Sequence, residues 1–166
     1  MIMRSSELEP IEILLVEDNP VDILMTKQAL AEGKVCNNLH VAEDGEEATD
    51  FLLQQGKYAA APRPDLILLD LNLPRKNGRE ILADIKSNPD LLDIPVIVLT
   101  TSEEEQDIVM CYQLHSNCFI TKPVDMEQFT QVIRSIEGFW LTIVKLPATG
   151  TNNHGNGKNT TDRKST

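Results

Sequence analysis

Short apolar runs recur along the chain, and the stretches between them are long enough to hold a helix. Five of these runs have the length and the β-branched or leucine-rich composition of strands: Ile11–Val16, 39–42, Leu66–Leu69, 96–99 and Cys118–Thr121. Two of them, LILL and VIVL, are apolar at every position, which is typical of strands buried on both faces of a sheet. The pattern therefore predicts a five-stranded sheet that is covered on both sides.

Helical spacing fills the stretches between the strands. The first stretch predicts a helix that stops at Gly33 and has one mostly apolar face, made of Val21, Leu24, Met25, Gln28 and Ala29. Other helices are predicted around 48–52, over 78–86 and over 103–115, the last with Ser102 as its N-cap. A final helix begins near Asp125 and turns five side chains inward: Phe129, Val132, Ile133, Ile136 and Trp140. Strands that alternate with helices indicate an α/β fold of (βα)5 type, a doubly wound parallel sheet.

Length and charge narrow the class of protein. A chain of 166 residues suits one domain, which we place at 11–147, after a short extension at 1–10. Residues 148–166 are rich in Gly, Asn and Thr and lack large apolar side chains, so a disordered tail is expected. The net charge of −11 argues against nucleic-acid binding, and no apolar run is long enough for a membrane helix. Three cysteines without a CxxC pair, and no signal-peptide pattern, predict a reducing, cytoplasmic setting.

Charged or hydroxylated residues follow four of the five predicted strands: Glu17, Asp18, Asp70, Thr100, Thr101 and Lys122. In an open parallel sheet the carboxyl ends of the strands meet at one edge, where ligands bind. Carboxylates that crowd together repel one another unless a cation joins them. A hard divalent cation such as Mg²⁺ takes oxygen ligands of this kind. Taken singly, each residue has an ordinary explanation as a turn, a helix cap or a solvated side chain, and only their combination at one edge indicates a site.

Asp70 stands out because it ends the most apolar strand. A carboxylate held beside Mg²⁺ can act as a nucleophile on phosphorus and form an acyl phosphate. Lys122 would supply a point charge for the phosphoryl oxygens. Thr100 would donate a hydrogen bond to the new phosphoryl group, which makes it a candidate switch residue.

Four motifs carry a resemblance to a known family: VEDNP (16–20), DLILLDLNLPRKNG (65–78), PVIVLTTS (95–102) and ITKPV (120–124). They resemble the receiver domain of bacterial two-component response regulators, the CheY-like fold, over about residues 11–138. The resemblance implies the strand order 2-1-3-4-5 and a phosphoryl transfer from a sensor histidine kinase. It implies a signalling domain and not an enzyme, with at most self-phosphorylation from small donors and self-dephosphorylation.

The resemblance also implies a role for each site residue. Asp70 would be the phosphoacceptor, and Mg²⁺ (or Mn²⁺) would be held by Asp18, Asp70, the backbone carbonyl of Asn72 and, through water, Glu17. Phosphoryl binding and switching would involve Thr100, Thr101, Lys122 and Phe119. Phe119 occupies a position where the family often has Tyr, so its inward state would rest on packing alone. The Lys122–Pro123 peptide bond is expected to be cis.

A narrower resemblance rests on the connection at 56–64 and on the stretches LHSNCFITKPVD (114–125) and IEGFWLTIVKLP (136–147). Together they resemble the small single-domain regulators paired with cyanobacterial phytochrome histidine kinases, which implies a phytochrome-like kinase as partner.

The segment 139–146 holds six large apolar residues in eight, more than one helical face can bury. One interpretation is a longer helix that packs on the core. The other is an apolar interface of a homodimer, with Phe139, Trp140, Ile143 and Val144 as candidates. We predict a dimer built on the fourth helix, fifth strand and fifth helix, with an affinity that phosphorylation shifts.

Other functions are kept as alternatives. A haloacid-dehalogenase-type phosphatase carries DxDx[TV] after its first strand, whereas the corresponding aspartate here follows the third. A flavodoxin-type carrier needs a phosphate-binding first loop, which Glu17 and Asp18 would repel. A receiver that serves a non-phytochrome kinase or a phosphorelay remains open, and a transcription factor is disfavoured because only a polar tail follows the last helix.

Overall fold

A computed structural model describes residues 10–33, 35–101, 105–113, 118–123 and 125–142, without the side chains of 105, 106, 109, 111 and 139–142. The strands are β1 (Ile11–Val16), β2 (Asn37–Ala42), β3 (Leu66–Leu69), β4 (Val96–Thr100) and β5 (Cys118–Thr121). The helices are α1 (Pro20–Glu32), α2 (Gly45–Leu53), α3 (Gly78–Ser87), α4 (Glu105–Gln113) and α5 (Met126–Thr142), with a short 3-10 turn at Gly56–Tyr58.

The five strands form one parallel sheet in the order β2-β1-β3-β4-β5, as predicted. The predicted bounds of β1, β3 and β5 agree with the structure. β2 begins two residues earlier than predicted, at Asn37, because this edge strand starts with polar residues that carry no apolar signal. The sequence therefore located every strand, and its errors lie at the ends.

The core lies on both faces of the sheet. Alternate residues of β1 point to opposite sides, so Leu14 joins one apolar cluster and Ile13 joins the other. The first cluster is closed by α2 and α3, and the second by α1 and α5. All four residues of β3 are buried, which holds the residue after this strand on a fixed base.

The predicted apolar face of α1 is partly wrong. Val21 and Leu24 are 59% and 54% exposed, whereas Ile23, Thr26 and Leu30 are buried. This helix has two possible apolar faces, and packing against α5 buries the one that the residue spacing did not predict.

The last helix follows its prediction more closely. Phe129, Ile133 and Ile136 are buried in the cluster that also contains α1, and Val132 packs against it. The side chain of Trp140 and the predicted cap Ser102 lie outside the described residues, as do the extension at 1–9 and the tail at 148–166. Within the described part of the chain, no helix is both long and apolar enough to cross a membrane.

Candidate phosphoryl-acceptor site

Backbone hydrogen bonds align the strand ends that carry the predicted site residues. The N–H of Asp70 donates to the carbonyl of Val16 at 3.0 Å, which sets the end of β3 beside the end of β1. The N–H of Lys122 donates to the carbonyl of Thr100 at 2.8 Å, which does the same for β5 and β4. Backbone pairing within the sheet therefore brings the predicted site residues together at one edge.

Asp70 is only 6% exposed, and its carboxylate has three neighbours. The Thr100 hydroxyl donates to Oδ1 at 2.7 Å, and the Asn72 backbone N–H donates to the same oxygen at 3.2 Å. The Lys122 ammonium lies 3.3 Å from Oδ2. These contacts fix both carboxylate oxygens at the end of a fully buried strand.

The Lys122 ammonium is the centre of a buried ion cluster. It donates to Glu17 Oε1 at 2.5 Å, to Asp22 Oδ2 at 2.7 Å and to Asp70 Oδ2 at 3.3 Å. Burial disfavours the charged ammonium, but hydrogen bonds to Asp22 and Glu17 and the charges of Asp70 and Glu17 outweigh it and raise the pKa of Lys122. Lys122 therefore stays charged, and three carboxylates share one cation.

Asp22 was not predicted, because it does not directly follow a strand. Its signal is its place in the first turn of α1, a helix that begins four residues after β1 ends. That turn lies over the same edge of the sheet. Asn19 caps the helix by accepting from the N–H groups of Val21 and Asp22, which orients this turn.

Glu17 is a buried carboxylate of the cluster, and its affinity for a proton is raised. Burial raises its pKa to about 7, and the charge of Asp70 adds to the rise. The hydrogen bond from Lys122 and the N–H of Asn19 oppose it only in part. Because one ammonium is shared among three anions, it does not offset the burial of Glu17.

A divalent cation fits beside this cluster. Carboxylate oxygens of Glu17, Asp18 and Asp70 lie within 4.8 Å of one another. Asp18 is exposed, and its carboxylate accepts no hydrogen bond from the described residues, so its oxygens face solvent. An oxygen-only set with excess negative charge is what Mg²⁺ and Mn²⁺ take.

The loop after β3 folds back closely on Asp70. A Cβ on Gly78 would lie 2.1 Å from the carbonyl oxygen of Asp70, so only glycine allows this approach. Arg75 has a φ of 64°, a left-handed conformation that turns the chain back toward α3. Asn77 then caps α3 in a capping box with Glu80. The loop that contains Asn72 is thus fixed at both ends.

The remaining predicted residues lie around this centre. Thr101 is exposed next to Thr100, and Phe119 is half-buried on β5 against the cluster that α2 and α3 close. One expectation is wrong: no cis peptide bond occurs among the described residues, so the Lys122–Pro123 bond is trans. Trans is the more stable isomer even before proline, and the ammonium reaches its partners in this geometry.

The interface candidates fall largely outside the description. The side chains of Phe139 and Trp140 and the whole of Ile143 and Val144 are not among the described residues. The homodimer therefore stays a prediction.

Comparison with known proteins identifies this arrangement. The sequence profile of the response regulator receiver domain matches residues 13–134. The chain belongs to the response regulator receiver domain family. Membership of this family excludes the haloacid-dehalogenase-type and flavodoxin-type alternatives.

Proteins similar to this receiver domain include regulators named for phytochromes. Response regulator Rcp1 of Synechocystis sp. is 50% identical over 139 residues, covering 84% of this chain and 95% of that protein. The structure of the phosphorylated cyanobacterial phytochrome response regulator RcpA has a TM-score of 0.81 and 52% identity, covering 84% of this chain and 99% of the other. The Mn²⁺-bound form of Rcp1 has a TM-score of 0.80 and 49% identity, covering 83% of this chain and 99% of the other.

Proposed function

We propose that this receiver domain accepts a phosphoryl group on Asp70 from a histidine of a sensor kinase. One observation carries the proposal: a buried carboxylate at the end of the central strand is bonded to a hydroxyl and an ammonium, beside two further carboxylates. These groups match what transfer to a carboxylate needs, namely a fixed nucleophile, charge neutralisation and a hydrogen-bond donor for the product.

The transfer forms one bond and breaks one. An oxygen of the Asp70 carboxylate attacks phosphorus, and the bond from phosphorus to the kinase imidazole nitrogen breaks, leaving its electron pair on that nitrogen. The product is an acyl phosphate on Asp70. Lys122 stabilises the phosphoryl oxygens as a point charge, since its ammonium already lies 3.3 Å from Oδ2.

A metal ion belongs to this proposal. Asp18 and Asp70 would hold Mg²⁺ or Mn²⁺ directly, with the backbone carbonyl of Asn72, and Glu17 would act through water. Bound there, the ion neutralises charge on the transferring phosphoryl group. The acidic cluster supports this role, and a similar protein is described in a Mn²⁺-bound form.

The switch that follows would involve three residues. Thr100 now donates to Asp70 Oδ1, so its hydroxyl would turn to the phosphoryl oxygen, with Thr101 next to it. Movement of Thr100 would vacate space for Phe119, which is half-buried on the neighbouring strand β5. The surface formed by α4, β5 and α5 would then change without unfolding.

We propose a phytochrome-like sensor histidine kinase as the partner, because similar proteins are named for cyanobacterial phytochromes. The cytoplasm is the compartment we propose, because Cys36 and Cys118 are free thiols. The domain is a signalling module that a kinase loads, and not an enzyme with its own substrate.

The test is phosphorylation with acetyl phosphate and Mg²⁺, followed by intact-mass spectrometry. The wild type should gain one phosphoryl group that alkali removes, and Asp70→Asn should gain none. Asp90→Asn is the matched control, because it makes the same charge change on an exposed residue that precedes β4, at the opposite edge of the sheet. Equal labelling of Asp70→Asn and the wild type would show that the acceptor lies elsewhere.

The metal is tested separately by thermal unfolding. Ligand binding to the folded state raises the midpoint by mass action, so Mg²⁺ should stabilise the wild type. Asp18→Asn should lose most of this shift. A full shift in Asp18→Asn would remove Asp18 from the ligand set.

We also propose a homodimer that uses α4, β5, α5 and the apolar residues Phe139, Trp140, Ile143 and Val144. The excess of large apolar side chains in this segment supports it. Sedimentation velocity would compare the wild type with a Phe139→Ser, Val144→Ser double variant, with and without phosphodonor. A monomeric wild type in every condition rules out the dimer, and equal dimerisation of the double variant places the interface elsewhere. A coupling of about 1–3 kcal/mol to phosphorylation is expected.

A further inference from the structure

Asp22 contacts the cluster from outside the set of strand-end residues. Its backbone is fixed by the first turn of α1: the N–H donates to Asn19 Oδ1 at 3.1 Å, and the carbonyl accepts from the Thr26 hydroxyl at 2.8 Å. The side chain is therefore not needed to hold the turn. Its carboxylate instead accepts from Lys122 Nζ at 2.7 Å.

The lysine ammonium is bound more closely by its neighbours than by the acceptor. Its contact to Asp22 is 2.7 Å, whereas its contact to Asp70 is 3.3 Å. An ammonium has three N–H donors, and three carboxylates occupy them. To bond a phosphoryl oxygen closely while keeping its contact to Asp70, Lys122 must withdraw a donor from Glu17 or Asp22.

Asp22 is the partner that gives way most easily. Glu17 is buried to the same degree as the lysine and holds the shortest contact, 2.5 Å, whereas the Asp22 side chain is 18% exposed. Water can therefore replace the ammonium at Asp22 at little cost. Asp22 also lies outside the group of three carboxylates that fits a metal, so a change there leaves the metal ligands in place.

We propose that Asp22 is a positioning residue that restrains Lys122 in the unphosphorylated state and so slows loading of Asp70. When a phosphoryl group arrives, Lys122 exchanges the Asp22 carboxylate for a phosphoryl oxygen. This inference rests on the proposed function of Asp70 and adds a control on the rate of that transfer.

The experiment measures initial rates of phosphorylation by acetyl phosphate at saturating Mg²⁺. Asp22→Asn keeps the size of the side chain but removes the anion that competes for Lys122. We expect labelling to be about three- to ten-fold faster, a coupling of the size found between residues in contact. Asp22→Glu restores the anion and should return the rate toward that of the wild type, and Asp90→Asn should label at the wild-type rate.

The same comparison in a Lys122→Met background separates positioning from simple charge. A general gain in attraction for an anionic donor would persist without the lysine, whereas release of Lys122 would not. We therefore expect Asp22→Asn to change the rate by a factor of about one in that background. An equal acceleration in both backgrounds, or slower labelling of Asp22→Asn alone, overturns the proposal.

A second readout needs no phosphoryl transfer. Nitrogen-15 NMR of the lysine side chains follows exchange of the Lys122 ammonium hydrogens with water, which loss of the Asp22 bond should accelerate. Unchanged exchange in Asp22→Asn would also overturn the proposal. If the wild type takes no label while Asp22→Asn changes the exchange, the contact is real and the proposed function of Asp70 is what fails.

Discussion

Two glutamates of this domain are buried, but they differ in the charged groups and hydrogen-bond donors around them. Glu17 lies after β1 at 3% exposure, and Glu137 lies in α5 at 8%. Burial raises the pKa of both. Glu17 accepts from the Lys122 ammonium, whereas Oε2 of Glu137 has no hydrogen-bond partner among the described residues.

The surroundings of Glu137 explain how it tolerates this position. The backbone N–H of Val35 donates to its carboxylate, and the charge of Arg134 also lowers its pKa, but less than burial raises it. The carboxylate lies against Gly33, where a Cβ would be 1.9 Å from Oε1. Arg134 itself pairs with the exposed Glu32.

The comparison shows that burial alone does not mark a functional carboxylate. Glu17 is held in a network of several anions around one cation, and removing that cation leaves buried charges without a partner. Glu137 accepts from one backbone N–H, is not in contact with a cation among the described residues, and can be neutralised by a proton. The first arrangement supports chemistry that moves charge, and the second is a local feature of packing.

The largest effect should come from removing the cation beside Glu17. Lys122→Met leaves three carboxylates without their shared partner, so we expect a loss of about 3–5 kcal/mol in the free energy of unfolding at pH 7.5 without metal. The matched change beside Glu137 is Arg134→Met, whose exposed pair should contribute about 1 kcal/mol or less. Urea unfolding measures both. Similar losses in the two variants would erase the distinction between the clusters.

The next effect is a pH dependence that Glu17 should impose on the metal-free protein. Its pKa of about 7 in the folded state lies above the ordinary 4.5, so the folded state binds more protons between these values. Stability from Glu17 is therefore complete below about pH 4.5 and is lost as pH rises through 7, by about 3 kcal/mol.

Urea unfolding in EDTA from pH 4.5 to 8 checks this, with Glu17→Gln as the comparison. The variant should show a shallower fall, and saturating Mg²⁺ should oppose the fall in the wild type because metal favours the deprotonated cluster. An identical slope in wild type and variant would assign the titration to another group.

A third comparison uses two glycines, Gly78 beside Asp70 and Gly33 beside Glu137. Gly78→Ala places a methyl group 2.1 Å from the Asp70 backbone oxygen, which cannot move independently, so we expect a loss of about 1–3 kcal/mol. The nearest atoms that Gly33→Ala would meet belong to the carboxylate end of Glu137, a flexible side chain that can turn aside, so stability should change by less than about 0.5 kcal/mol. Chemical unfolding of both variants is the measurement. The opposite ranking would mean that the loop after β3 yields more readily than the glutamate does.

The smallest expected effect is a gain. Glu137→Gln removes a buried charge whose second oxygen is unpartnered, so it should stabilise the protein by about 1 kcal/mol at pH 8. At pH 4 the acid of the wild type is protonated, and the difference should disappear. A variant that is less stable at pH 8 would show that the carboxylate has a favourable role there.

The sequence was sufficient for the sheet and for most of the cluster, for a physical reason. Where a polar residue directly follows an apolar strand, as at Asp70 and Lys122, the sequence shows where the strand ends. It thereby shows at which edge of the sheet the polar side chain lies. The interior face of α1 was not recoverable from spacing, because Val21 and Leu24 compete with Ile23 and Leu30. Packing against α5 decides which face of α1 is buried, and no pattern within α1 itself indicates that contact.

Asp22 and Glu137 illustrate the same limit. Each is an acidic residue on a helix, where most such residues are solvated, and only the neighbouring element makes it exceptional. The first turn of α1 brings Asp22 to Lys122, and Gly33 brings the chain close to Glu137. No local pattern reports such contacts between distant segments.

The contact from Glu17 to Lys122 spans 105 positions of the chain, and Lys122 follows an edge strand bonded to β4 alone. During synthesis the acceptor centre therefore cannot be completed until nearly the whole domain has left the ribosome. In the finished protein, transient detachment of β5 would withdraw the cation while the other four strands stay folded. Under the proposed function, phosphoryl transfer would thus depend on the last strand, and a nascent or frayed chain would lack the cation beside Asp70.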